Sequence, residues 1–161
     1  MIGLPPFAQN FILHWGEMGT KWGINRTVAQ IHALLFISEE PLNAEGICNR
    51  LGVARSNVSN SLKELQNWGI VNVVHLPGDR RDHFESVKDV YELFRIIATE
   101  RKRREIDPTL RNLRKSADEA GEPNNPADAY ARGQLEDLLG FFEMISDLSL
   151  IHISEPTRQD R

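Results

Sequence analysis

The chain has little of what specialised chemistry requires. A single cysteine, Cys48, rules out an internal disulfide and fits a reducing compartment. No apolar run approaches the length of a membrane span. The opening Met1-Ile2-Gly3-Leu4-Pro5-Pro6 lacks the basic and apolar regions of a signal peptide. A cytoplasmic protein with no membrane partner is therefore expected. No glycine-rich phosphate loop, nucleophile elbow or carboxylate pair is visible, so neither catalytic residues nor a cofactor are expected. His14, His32, His75 and His83 show no i, i+4 pair and no carboxylate–histidine cluster, which argues against a metal site. Basic residues are not in excess: 19 Lys and Arg stand against 23 Asp and Glu. A nonspecific nucleic-acid coat is disfavoured, whereas a local basic surface remains open.

What is present is an ordinary globular composition with clear helical periodicity. Phe7, Phe11, Trp15, Met18 and Trp22 recur at helical spacing, widened by Ile12, and predict a helix over 7–22 whose aromatic stripe must be covered. A second helix is expected from Arg26 to Ile37 on Val28, Ile31, Leu34 and Leu35. A third, capped by Asn43 and ending at Gly52, buries Ala44, Ile47, Cys48 and Leu51. The fourth runs from Arg55 to about Trp68, with Val58, Leu62 and Leu65 inward and Gly69 as its stop. Ile70–Val74 and His83–Val87 read as strands about the turn Leu76-Pro77-Gly78-Asp79. Helical pattern resumes at Lys88, with Pro108 giving either a kink or a new helix to Ala120. After a linker at 121–126, a last helix over 127–146 carries Tyr130, Leu135, Leu138, Leu139, Phe142 and Ile145.

Three helices followed by a two-stranded hairpin is the order of a winged helix-turn-helix. The fold expected is mainly α with a small β-hairpin, plus N- and C-terminal dimerisation helices. With its apolar side buried, the helix from Arg55 turns Arg55, Ser56, Asn57, Asn60 and Lys63 outward, with Ser59 beside them. Such short polar groups donate to and accept from base edges in a major groove. No acidic residue lies between Arg50 and Lys63 to repel phosphates. Asn57 and Asn60 are the candidate base contacts, preferring adenine, while Arg55, Ser56, Lys63 and Arg80 suit the DNA backbone. At the hairpin tip, Gly78-Asp79-Arg80-Arg81-Asp82 places two guanidinium groups on a tight turn, suited to a minor groove or flanking phosphates.

Several runs resemble the GbsR family, a branch of the MarR-type regulators. They are Phe11 to Trp22, Arg55 to Leu65 ending in Trp68-Gly69, Gly78 to Phe84, and Glu100 to Pro108. The resemblance covers about residues 7–120. Asp79-Arg80-Arg81 also fits the Asp-x-Arg wing signature of the wider group, which implies a minor-groove role for Arg81. The likeness implies a homodimer built by the terminal helices, binding pseudo-palindromic double-stranded operator DNA and acting mainly as a repressor. Ala54 departs from the pattern, since a serine usually caps this helix; the missing hydroxyl costs about 0.5–2 kcal/mol.

The expected organisation is an N-terminal dimerisation helix over 1–24, a DNA-binding domain over 25–88, and a C-terminal dimerisation and effector region over 89–147. Leu148 to Arg158 resembles a translated sequencing adapter, so residues 148–161, His152 among them, are expected to be non-native. Trp15, Trp22, Trp68, Tyr91 and Phe94 form a candidate cage for a small cationic effector, although aromatic residues at helical spacing more often fill a core or interface. Cys48 reads as a buried structural thiol in preference to a redox sensor. Arg101-Lys102-Arg103-Arg104 reads equally as a phosphate contact or as a solvated helix face paired with Glu100 and Glu105. A winged helix used only as a protein–protein adaptor is the alternative, but it has no need of Arg80, Arg81 and the polar face at 55–60.

Overall fold

A computed structural model describes residues 1–154, with side chains through residue 148; residues 155–161 of the adapter-like tail lie outside the described residues. The chain forms two compact units, Met1–Ile96 and Ile97 onward. Among the described residues no helix is long and apolar enough to cross a membrane.

The first unit holds α1 (Pro6–Lys21), α2 (Arg26–Ile37), β1 (Leu42–Asn43), α3 (Ala44–Leu51), α4 (Arg55–Trp68), β2 (Val71–His75) and β3 (Asp82–Ser86), and the start of α5 (Val90–Arg101). Asn25 and Asn43 cap α2 and α3, their side-chain oxygens accepting from Thr27, Val28 and Gly46 amides. Ile31, Leu34 and Leu35 of α2 meet Ile47 of α3 and Val58, Leu62 and Leu65 of α4 in the core. Burying each such side chain stabilises by about 1.5–3 kcal/mol.

The sheet has three strands in the order β1-β3-β2, all antiparallel. Phe84 at its centre pairs with Leu42 on one side and Val73 on the other. The hairpin turns where Asp79 N–H donates to the Leu76 carbonyl at 3.2 Å. Pro77 fixes the first central position, and Gly78, at φ 78°, supplies the left-handed second one of a type II turn. At the hairpin root, the Lys88 ammonium donates to the carbonyls of Leu35 (2.5 Å), Phe36 (3.0 Å) and Ser38 (2.5 Å), closing the C-terminus of α2. Burial pulls the Lys88 pKa down, against the opposing pull of Glu85.

The packing of α1 differs from the expected one. Its buried face is Ala8, Ile12, Gly16 and Gly19, not the aromatic stripe. Phe7 and Trp22 are 76% and 61% exposed, and Phe11, Trp15 and Met18 are half-buried. Small residues win this face because α1 lies close against α2: a Cβ on Gly19 would sit 2.6 Å from the Ala29 Cβ, and one on Gly16 2.8 Å from the Gln30 Cγ. Trp15 instead stacks obliquely between Phe11 and His32, whose ring also neighbours Phe36. His32 is buried with its Nε2 unpaired among the described residues. Burial, helped by the nearby Lys88 charge, lowers its pKa from 6.5 to about 4. Cys48 is half-buried, not enclosed.

In the second unit, the end of α5 continues through a π-helical turn at Lys102–Ile106 into α6 (Asp107–Glu119), and α7 spans Pro126–Ser154, past the end expected at 146. The Pro108 ring would crowd the carbonyl four residues before it. The chain widens by one residue, Asp107 N–H donating to the Lys102 carbonyl, and stays helical. Leu110 and Leu113 of α6 are buried. On α7, Leu135, Leu139, Phe142 and Ile145 are half-buried, while Tyr130, Leu138, Phe141 and Met144 are exposed.

Two outcomes are expected. Gly19→Ala gains about 1 kcal/mol of helix propensity but overpacks a rigid neighbour at about 1–3 kcal/mol. Urea melts should therefore show net destabilisation, and a smaller one for Gly16→Ala, where Gln30 can change rotamer. The His32 contribution is full above its ordinary pKa of 6.5 and is lost as pH falls toward 4. Acid melts should show a loss of up to about 3 kcal/mol over that window, absent in His32→Leu.

Candidate nucleic-acid interface

Burial of Val58, Ser61, Leu62 and Leu65 leaves the opposite side of α4 to solvent. Arg55, Ser56, Asn57, Asn60 and Lys63 are all exposed there, and Ser59 is half-buried. The first turn of α4 has no side-chain cap: Ala54 offers none, so the free amides and the positive end of the helix dipole face outward. Arg55, Ser59 and Lys63 also line a groove of about 380 Å³, closed opposite by Glu45 of α3 and by Arg81 and Asp82 of the hairpin. The groove thus brings four of the eight predicted contact residues together. Ser56, Asn57, Asn60 and Arg80 lie outside it.

The two wing arginines differ. Arg81 is held by Asp79 through Nε (3.0 Å to Oδ1) and Nη2 (2.8 Å to Oδ2), and its amide donates to Asp79 Oδ1 at 3.0 Å. Glu45 Oε2 approaches its Nη1 at 3.8 Å. These hydrogen bonds hold the Asp79 carboxyl well below the usual carboxylate range and push the Arg81 pKa up. Arg81 is therefore aimed but partly neutralised. Arg80 is exposed, and among the described residues neither it nor Arg55 nor Lys63 makes an ion pair. Those three carry the uncompensated positive charge of this surface.

The basic run near the π-turn is committed internally. Arg101 pairs with Glu105, Lys102 with Asp107, and Arg103 and Arg104 with Glu100. That arrangement favours the paired-helix reading over a phosphate contact. The five aromatic residues are spread over several elements. Trp15 is in the α1–α2 contact, Trp22 ends α1, and Trp68 on the last turn of α4 donates from Nε1 to Glu64 at 2.8 Å. Tyr91 and Phe94, on α5, are 80% and 54% exposed. Sequence reasoning missed two contributors to the wing: Glu45, and His83, which is buried beside Asp79. Alternation along β3 gave no signal for His83, because it lies next to the inward Phe84 and both are buried.

Comparison with known proteins then bears on this geometry. Residues 22–82 match the MarR family. The MarR-type match runs from the end of α1 to the start of β3 and so contains the exposed face of α4 and the wing turn. MarR-family proteins are transcriptional regulators and not enzymes. The fold is also similar to that of a solved transcriptional regulator, with a TM-score of 0.66 at 16% identity, covering 94% of this chain and 100% of that one. Two further structures score too low to bear on the fold. Transcriptional regulator Tm0710 from Thermotoga maritima has a TM-score of 0.42 at 16% identity over 92% of each chain. A MarR-family transcriptional regulator from Rhodococcus sp. RHA1 has 0.40 at 17% identity over 68% of this chain and 85% of that one. No curated protein matches the chain by sequence.

Restoring a hydroxyl at the start of α4 is expected to help. Ala54→Ser should stabilise by about 1 kcal/mol in thermal melts, because it satisfies one free amide of the first turn.

Proposed function

We propose that this chain is a sequence-specific DNA-binding repressor of the GbsR branch, acting as a homodimer on operator DNA. The observation that carries the reading is the juxtaposition of α4 and the wing. An exposed helix face of amides, hydroxyls and unpaired cations stands beside an arginine whose orientation is fixed. Asn57 and Asn60 read base edges in the major groove, Arg55, Ser56, Ser59, Lys63 and Arg80 position the backbone, and Arg81 enters the minor groove. Exposed Phe7 on α1 and Leu138, Phe141 and Met144 on α7 support an interface between copies formed by the terminal helices. Two such recognition helices would sit about one DNA turn apart, ~34 Å.

The test is selection of a duplex from a random pool, followed by gel-shift titration over a range of salt. Tight binding that falls steeply with salt is expected. Arg80→Ala and Lys63→Ala should each lower the salt slope by about one. Arg81→Ala should weaken binding with a smaller change in slope, since Asp79 already offsets its charge. A folded dimer that selects no duplex would overturn the reading in favour of a protein–protein adaptor.

A further inference from the structure

Resting on the DNA-binding reading above, we propose that Glu45 is a specificity-determining residue. Its carboxylate repels the sugar–phosphate backbone from the groove between α4 and the wing, and so penalises binding that reads no bases. Helix α4 divides its polar residues between two directions. Ser56, Asn57 and Asn60 are exposed and lie outside the groove, whereas Arg55, Ser59 and Lys63 line it on successive turns. A DNA strand therefore has two places to go. Across the outer side it presents base edges to the asparagine amides, with its phosphates at the rim of the groove. Inside the groove it would offer only phosphates to Arg55, Lys63 and Arg81, contacts that every sequence supplies equally.

Charge on the opposite wall decides between the two. Glu45, in the first turn of α3, lines the groove across from those α4 cations, and its side chain is 66% exposed. Its Oε2 lies 3.8 Å from Arg81 Nη1, too far for a hydrogen bond, so the carboxylate keeps most of its field. Aiming Arg81 falls to Asp79, which holds its Nε and Nη2. The groove also carries apolar lining from Leu62, Val73 and Phe84, which weakens the screening of charges beside it. A phosphate seated there lies inside a Debye length, about 8–10 Å, of the Glu45 anion. Asp82 lines the same groove, but it is carried by the hairpin and stands 3.7 Å from His75 Nδ1. Glu45 is fixed to the helical core, because Ala44 and Ile47 on either side of it in α3 are buried.

An acid in the first turn of a helix also suits the macrodipole. That role, or one in aiming Arg81, predicts effects that are equal for every duplex. Repulsion from the groove predicts a different pattern. Removing the charge favours duplexes that lack the right bases, since correct docking keeps the backbone at the rim, farther from Glu45. The discrimination matters because a genome offers about 10⁶–10⁹ competing sites, so the ratio of specific to nonspecific binding decides occupancy.

The experiment titrates the whole chain, by fluorescence anisotropy over a range of salt, with two duplexes: the one wild type selects and a scrambled one of the same composition. Urea melts establish that each variant is folded. Glu45→Gln should bind the scrambled duplex about two- to five-fold more tightly, with a smaller gain on the selected one, so the ratio between them falls. Glu45→Lys should lower that ratio further and steepen the salt dependence on the scrambled duplex. Equal tightening on both duplexes, weakening on both, or an unchanged ratio in both variants overturns the proposal. If wild type selects no duplex, the DNA-binding reading fails and the role of Glu45 falls with it. A wild type that discriminates, with variants that discriminate equally well, removes Glu45 alone and leaves that reading intact.

Discussion

Val58, Leu62 and Leu65 seat α4 against α2, and this apolar seam sets the direction of every polar group on the other side of the helix. A helix rotated by one residue would turn Asn57 or Asn60 away from its present aspect, so the spacing of three buried side chains fixes what is displayed. The same core holds the sheet, because Phe84 lies against the helices at its inner face and leaves the hairpin tip beyond them. The displayed polar surface and the hydrophobic core are thus two faces of one helix.

Charge is distributed with similar economy. The chain is net negative, yet its acidic residues near the wing are employed in aiming an arginine, and those near the π-turn in satisfying a basic run. What remains uncompensated is a small set, Arg55 and Lys63 lining one groove and Arg80 on the hairpin outside it. A strongly basic protein would adhere to any polyanion; a local excess on an acidic chain limits attraction to one orientation.

Much of this was legible in the sequence. The boundaries of α2, α3 and α4 follow from their apolar spacing, with Asn43 and Gly52 bounding α3 and Gly69 ending α4, and the outward face of α4 followed from the inward one. Other parts carried no signal that one-dimensional reading can use. β1 is two residues long, too short for alternation, and exists because Leu42 and Asn43 pass beside β3. The docking face of α1 was misjudged because hydrophobicity pointed to the large rings, whereas proximity to α2 demanded the smallest side chains. The π-turn reflects a local conflict that Pro108 announces without revealing its resolution. In the wing, the Asp79–Arg81 pair was readable as a motif. The approaches of Glu45 and His83 were not, since they depend on how the sheet lies on α3.

Lys88 gives the hairpin a mechanical character. Its ammonium has three hydrogens, and three carbonyls of the preceding helix end receive them, which clamps the polypeptide immediately after β3. The opposite end, around Gly78, is tied to the helices more loosely among the described residues, by the 3.8 Å approach of Arg81 to Glu45. A beam fixed at one end deflects in proportion to the cube of its free length. Residues near Phe84 are therefore stiff, while those at the turn comply under small loads. A lever of this kind can follow irregularities in a surface it touches without transmitting the displacement back to the body that carries it.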